Sequence, residues 1–147
     1  MKSILEFCSG LPELNVAEGD DIIVEGEKGK SLFILKEGEV EIIKQETQVR
    51  VIDSPGSIFG EISILLDINS TATVRTTKPT TFYLVEEANS FLKDHPEINH
   101  HIAQLLARRL NSVTTYLVDL KQQFESHKDH LGMVDEVLES ILHQNTK

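Results

Sequence analysis

The hydrophobic period changes once, near Val85, and that change divides the chain into a β-rich part and a helical part. From about Asn15 to Val85 the apolar residues come in short runs, each ended by a turn signal. Residues 21–24 end at Glu25-Gly26, and residues 31–35 end at Glu37-Gly38. Residues 40–44 and 48–52 flank a hairpin at Gln45-Glu46-Thr47. Pro55-Gly56 marks a further turn before residues 72–75 and 81–85. Short, evenly spaced strands rich in β-branched residues predict a sandwich or jelly roll, mainly β with α. Gly19, Gly26, Gly29, Gly38 and Gly56 stand at turns where positive φ is expected.

Beyond Val85 the period becomes helical. Asn89 or Ser90 is positioned to cap a short helix reaching Asp94. Asp94-x-x-Glu97 has the spacing of a capping box, with Pro96 in the first turn of the next helix. From Leu106 a heptad runs in one phase. Its a positions are Leu106, Val113, Leu120, His127, Val134 and Ile141, and its d positions are Leu110, Leu117, Phe124, Leu131 and Leu138. Only His127 is polar, and a stripe this long predicts a parallel coiled-coil homodimer through residues 106–141. A helix of about 50 residues is roughly 75 Å long, more than a small barrel can cover. His127 and Gly132 are the weak points of the stripe, and the glycine leaves room for a break near Asp129 to Gly132. The expected organisation is a barrel with a short N-terminal helix over residues 1–89 and a helical region over residues 90–147.

Charge narrows the function classes. The net charge is −10, with no basic stripe of the kind that neutralises DNA phosphates, so sequence-specific nucleic-acid binding is not expected. No run is apolar enough to predict a membrane span, and the N-terminus lacks a secretory pattern. The single Cys8 excludes an intramolecular disulfide and fits a reducing cytoplasmic location. His100-His101 face different ways on a helix, and His127-x-x-His130 lacks a third ligand, so no metal is expected. No nucleophile, base and orienting acid share a pattern, so no catalytic residue is assigned and the chain is read as a non-enzyme.

The chemistry concentrates in Phe59-Gly60-Glu61-Ile62-Ser63-Ile64-Leu65-Leu66 and the following Ser70-Thr71-Ala72-Thr73-Val74-Arg75. A strand end, a glycine, a short helix and a returning strand place free backbone N–H groups where an anion can meet them. Glu61 suits the acceptance of sugar hydroxyls, and Thr71 can donate to the same anion.

This segment resembles the phosphate-binding cassette of the cyclic-nucleotide-binding domains of catabolite activator proteins, kinase regulatory subunits and gated channels. Glu18-Gly19, Glu25-Gly26, Phe33-Ile34-Leu35, Gly38-Glu39-Val40, His95-Pro96-Glu97-Ile98 and Ala107-Arg108-Arg109-Leu110 extend the likeness over about residues 14–117. The resemblance implies a cyclic-nucleotide-binding jelly-roll β-barrel followed by a long C-terminal dimerisation helix. It implies a ligand of the cyclic AMP or cyclic GMP class. Glu61 would accept the ribose hydroxyl, and Gly60, Ile62 and Ser63 would line the phosphate with backbone. Thr71 and Ala72 would meet it from the strand. Arg109 would pair with Glu61, while Leu110, Val113 and Thr114 approach the purine, with Ile42 and Val51 on the purine wall. The family pattern has an arginine where this chain has Ser70. Loss of one charge-assisted hydrogen bond weakens binding by about 10- to 150-fold. Arg75 lies five residues on, about 16 Å along an extended strand from Ser70, and is a poor substitute.

Two main readings follow. One is a homodimeric cyclic-nucleotide sensor that signals to a downstream protein by shifting helix populations. The other is a barrel that has lost its ligand and acts as a dimerising scaffold. A regulator whose DNA-binding part is missing from this sequence is a third.

Overall fold

The computed structural model describes residues 3–124 and 128–143. Two compact units make up the chain, residues 1–101 and residues 102–147. The first holds a four-residue helix α1 (Ile4–Phe7) and eight strands. These are β1 (Glu13–Val16), β2 (Asp21–Ile23), β3 (Leu32–Glu37), β4 (Val40–Lys44), β5 (Thr47–Ile52), β6 (Ile58–Phe59), β7 (Thr73–Thr76) and β8 (Thr80–Val85). One antiparallel sheet has the order β1-β8-β3-β6 and the other β2-β7-β4-β5. Successive strands alternate between sheets until the β4–β5 hairpin, then return in reverse, which makes two wound layers in jelly-roll order.

The core forms where both sheets turn their apolar faces inward. Leu35, Val40, Phe59, Val74 and Phe82 are buried together, with Leu14, Val16, Ile22, Phe33, Ile42 and Ile52 packed around them. Phe82 meets Phe33 and Phe59 edge to face, at centroid separations of 6.0 and 6.3 Å, an arrangement that suits the ring quadrupoles. Buried Thr76 ties the β1–β2 turn to β7. Its hydroxyl donates to the Ala17 carbonyl at 2.6 Å and accepts the Asp20 N–H at 3.0 Å.

The turns follow the glycines with one exception. Gly19, Gly26, Gly38 and Gly56 have positive φ, whereas Gly29 does not. At Gly38 a Cβ would approach the Thr80 backbone to 2.7 Å, so both conformation and space require glycine there.

Helix α2 (Glu61–Leu66) follows β6, and α3 (Ala88–Asp94) follows β8. The cap of α3 is Glu87, ahead of either expected cap. Asp94 is taken up as the last residue of α3, so α4 (Pro96–Gln123) begins at the proline without the expected capping box. Proline suits a first helical position because its missing N–H is not needed there.

The C-terminal region corrects the expectation of one continuous helix. Helix α4 ends at Gln123, and α5 (Lys128–His143) runs through Gly132, where no break occurs. Lys121 forms an ion pair with Asp135. In a continuous helix those residues would be about 21 Å apart, so α4 and α5 lie side by side there. The apolar stripe is therefore carried by two elements, α4 and α5, and its one polar member, His127, lies outside the described residues.

Candidate functional site

The cassette begins where β6 stops. Gly60 has φ +96°, and a Cβ on it would lie 2.7 Å from the Ser31 carbonyl oxygen. Glycine is thus required twice over, and it turns the chain into α2. Glu61, Ser63 and Ile64 are the buried residues of that helix, while Ile62 is exposed. The Ser63 hydroxyl donates to the Gly60 carbonyl at 3.1 Å, closing the first turn. The helix stops at Asp67, whose left-handed backbone lets its N–H reach the Ser63 carbonyl.

Ser70 is buried and is held through its backbone. Its N–H donates to the Glu27 carbonyl, and its carbonyl accepts the Gly26 N–H, both at 2.8 Å. Thr71 and Ala72 are half-buried and precede β7. A cavity of about 340 Å³ opens here, with Gly60, Ser63, Ser70, Lys28, Gly29 and Lys30 among its lining residues.

The remaining expected residues are distributed more widely. Ile42 packs against the barrel core and pairs with Arg50, while Val51 pairs with Glu41. Opposed residues share a face and successive residues alternate, so Ile42 and Val51 point to opposite faces of the sheet. Ile42 faces the barrel interior, and Val51 lies on the outer face, exposed. Arg75 is committed elsewhere. Its guanidinium donates to both oxygens of Asp21, at 2.7 and 3.3 Å, and lies 3.9 Å from Glu41. The Asp21 hydrogen bonds raise its already high pKa further. On α4, Arg109, Leu110 and Val113 are exposed. Thr114 is half-buried with its hydroxyl on the Leu110 carbonyl at 2.9 Å. Leu106, Leu117, Leu120, Val134, Leu138 and Ile141 are half-buried, Phe124 is exposed, and Leu131 falls on α5.

Sequence reasoning passed over Lys28 and Lys30. Lysines in a glycine-containing loop carry no signal that separates them from solvated charge.

A jelly roll with a glycine-headed helix between its sixth and seventh strands, followed by a long helix, is the fold of the catabolite-activator class of domain. The profile of the family described as cyclic nucleotide-binding domain matches residues 13–92, and the chain belongs to that family. It is 31% identical over 124 residues to the CRP-like cAMP-activated global transcriptional regulator of Mycobacterium tuberculosis. That match covers 80% of this chain and 55% of the regulator. It is 35% identical over 78 residues to the cAMP-dependent protein kinase regulatory subunit of Yarrowia lipolytica, covering 53% of this chain and 20% of that one. Among solved structures, the Thermus thermophilus catabolite activator protein has the same fold, with TM-score 0.65 and 24% identity. That likeness covers 84% of this chain and 59% of the activator. The chain thus spans little more than half of the regulators it resembles. Among the described residues, no helix is long and apolar enough to cross a membrane.

Proposed function

We propose that this chain is a homodimeric regulatory module that binds a cyclic nucleotide of the cAMP or cGMP class through a weakened phosphate contact, and that it is not an enzyme. The observation that carries this reading is the left-handed Gly60 leading into buried Glu61, in a domain of the cyclic nucleotide-binding family. The names of its relatives support the ligand class, since one is cAMP-activated and another belongs to a cAMP-dependent kinase. Glu61 is assigned to the ribose hydroxyl. Gly60, Ile62 and Ser63 are assigned to the phosphate by backbone, joined by Thr71 and Ala72. The dimer is assigned to the apolar stripe on α4, and the downstream protein is left open.

Ser70 favours a second reading, a barrel that binds no nucleotide and serves as a dimerising scaffold. Titration calorimetry with cyclic AMP and cyclic GMP separates the two. A working but weakened site gains about 10-fold or more in affinity from Ser70→Arg, and Glu61→Ala then removes much of the gain. Absence of binding by both wild type and Ser70→Arg at millimolar nucleotide supports the scaffold. Tight wild-type binding abolished by Ser70→Arg would sink both readings, because Ser70 would then be a selected contact for a different ligand.

A further inference from the structure

The loop between β2 and β3 lines the same cavity as Ser70, and its backbone is pinned at both ends. Gly26 and Glu27 are bonded to the Ser70 backbone, each at 2.8 Å. Beyond them the Lys30 carbonyl accepts the Ala88 N–H at 3.1 Å, and the Ser31 hydroxyl donates to the Glu86 carbonyl at 3.3 Å. Gly29 lies between these ties, and a Cβ on it would stand 3.6 Å from Ser70 Oγ and 3.8 Å from Ser63 Oγ. The missing side chain therefore leaves open the space that both hydroxyls face.

Ser70 is 7% exposed, yet its hydroxyl has no hydrogen-bond partner among the described residues. No described buried side-chain oxygen is both sealed from solvent and unpaired, so the Ser70 hydroxyl opens on the cavity that it lines. The Ser63 hydroxyl is already donated to Gly60, which leaves Ser70 as the donor still to be used.

The charged groups on this cavity are Asp21, Glu27, Lys28 and Lys30. Asp21 is neutralised by Arg75. Lys28 sits 3.8 Å from Asp67 with both side chains largely exposed, a pairing worth little in water. Lys30 makes no ion pair with a described residue. A lysine with no described ion pair, on a pinned backbone and lining the same cavity as an unused hydroxyl, offers the chemistry of a charge-assisted anion contact.

Resting on the nucleotide reading above, we infer that the cation absent at position 70 is supplied from the β2–β3 loop. Lys30 and the Ser70 hydroxyl hold the ligand's phosphate between them. A lysine offers a point charge with rotatable donors and cannot reproduce the fixed fork of an arginine, so the contact is weaker and less directional.

The test is titration calorimetry of the whole chain with cyclic AMP and cyclic GMP, with thermal unfolding as a control for folding. Lys30→Ala is expected to lower affinity by about 10-fold or more and to flatten its salt dependence. Lys30→Arg keeps affinity within about threefold of wild type. Gly29→Ala places a methyl against both hydroxyls and weakens binding with an unchanged melting temperature. Lys93→Ala, an exposed charge on α3, controls for loss of one positive charge. If Lys30→Ala binds as wild type does, the inference is overturned while the nucleotide reading stands. The inference also fails alone if only Ser70→Arg binds, since the loop then replaces nothing. If neither wild type nor Ser70→Arg binds, both fall together.

Discussion

At Gly60 the backbone stands in the left-handed region, and a Cβ would press on the Ser31 carbonyl at 2.7 Å. A left-handed L-residue costs about 1–2 kcal/mol before any clash, and this neighbour is backbone with little room to move. Gly60→Ala is therefore expected to lower stability by about 2–4 kcal/mol, measured by urea unfolding. Gly29→Ala, in ordinary contact and without positive φ, is expected to change it by about 0.5 kcal/mol or less. Glu39 provides a pH-dependent counterpart. The Thr77 hydroxyl, 2.7 Å from its carboxylate, stabilises the charged form, and Lys78 at 3.5 Å adds to it, so its pKa is lowered. A lowered folded pKa gives stability that is present above the ordinary glutamate range and lost as pH falls through the folded value. Glu39→Gln should flatten the acid limb of a stability–pH curve and leave its shape near neutrality unchanged; an identical acid limb would refute this. The same residues show what was legible in the sequence. Gly60 could be read because its neighbours form a motif. Gly29 and Lys30 could not, because their meaning depends on Ser70, about forty residues further along the chain.

Among the elements, β3, β4 and β8 were legible because alternating or continuous apolar runs are bounded by glycine or charge. Strand β6 has only two residues and β1 only four, too short for a period to show, and they exist because β3 and β8 supply partners. The β4–β5 hairpin was expected at the right place with an unsuitable turn sequence. Lys44 pairs with Thr47, leaving Gln45 and Glu46 as a two-residue loop with φ 50° and 65°. That is the type I′ geometry, which strongly prefers Asn-Gly. Gln45→Asn with Glu46→Gly is expected to raise stability by about 1–2 kcal/mol, read as a higher urea midpoint with an unchanged slope. An unchanged or lower midpoint would mean that the loop does not adopt this turn. Helix α1 carries its own reporter. Cys8 is fully buried, its thiol donates to the Ile4 carbonyl at 3.3 Å, and burial pushes its pKa up to about 11. Thiolate is the reactive form, so labelling by a disulfide reagent at pH 8 should wait on opening of α1. Immediate stoichiometric labelling of the folded protein would contradict the docked helix.

For the whole molecule, the helical region was legible in its amphipathic period and not in its continuity, because a heptad records which residues share a stripe and not where a helix ends. Lys121 against Asp135 separates α4 from α5, so the dimer prediction narrows to the stripe on α4. There Leu110 and Val113 are 50% and 49% exposed, while Leu117 and Leu120 are half-buried. That difference selects the variant. Glutamates at Leu117 and Leu120 would disturb the helical unit as well as any interface, and loss of the dimer could then be secondary. Glutamates at Leu110 and Val113 replace exposed side chains, with a stability change of about 0.5 kcal/mol expected for the monomer. In a dimer they bury unpaired carboxylates at adjacent d and a positions. Light scattering should give twice the 16.5 kDa chain mass for wild type at micromolar concentration and the single mass for the double variant, with matching melting curves at low concentration. A monomeric wild type ends the proposal. Orientation is tested by Val113→Cys. In a parallel, in-register pair, each a position faces its own copy, within reach of a disulfide's Cα separation of about 4.4–6.8 Å. Mild oxidation should therefore cross-link the variant through residue 113, with Cys8 shielded in the barrel. A dimer that resists this cross-link is antiparallel or uses another face, and the stripe on α4 would then need a different partner.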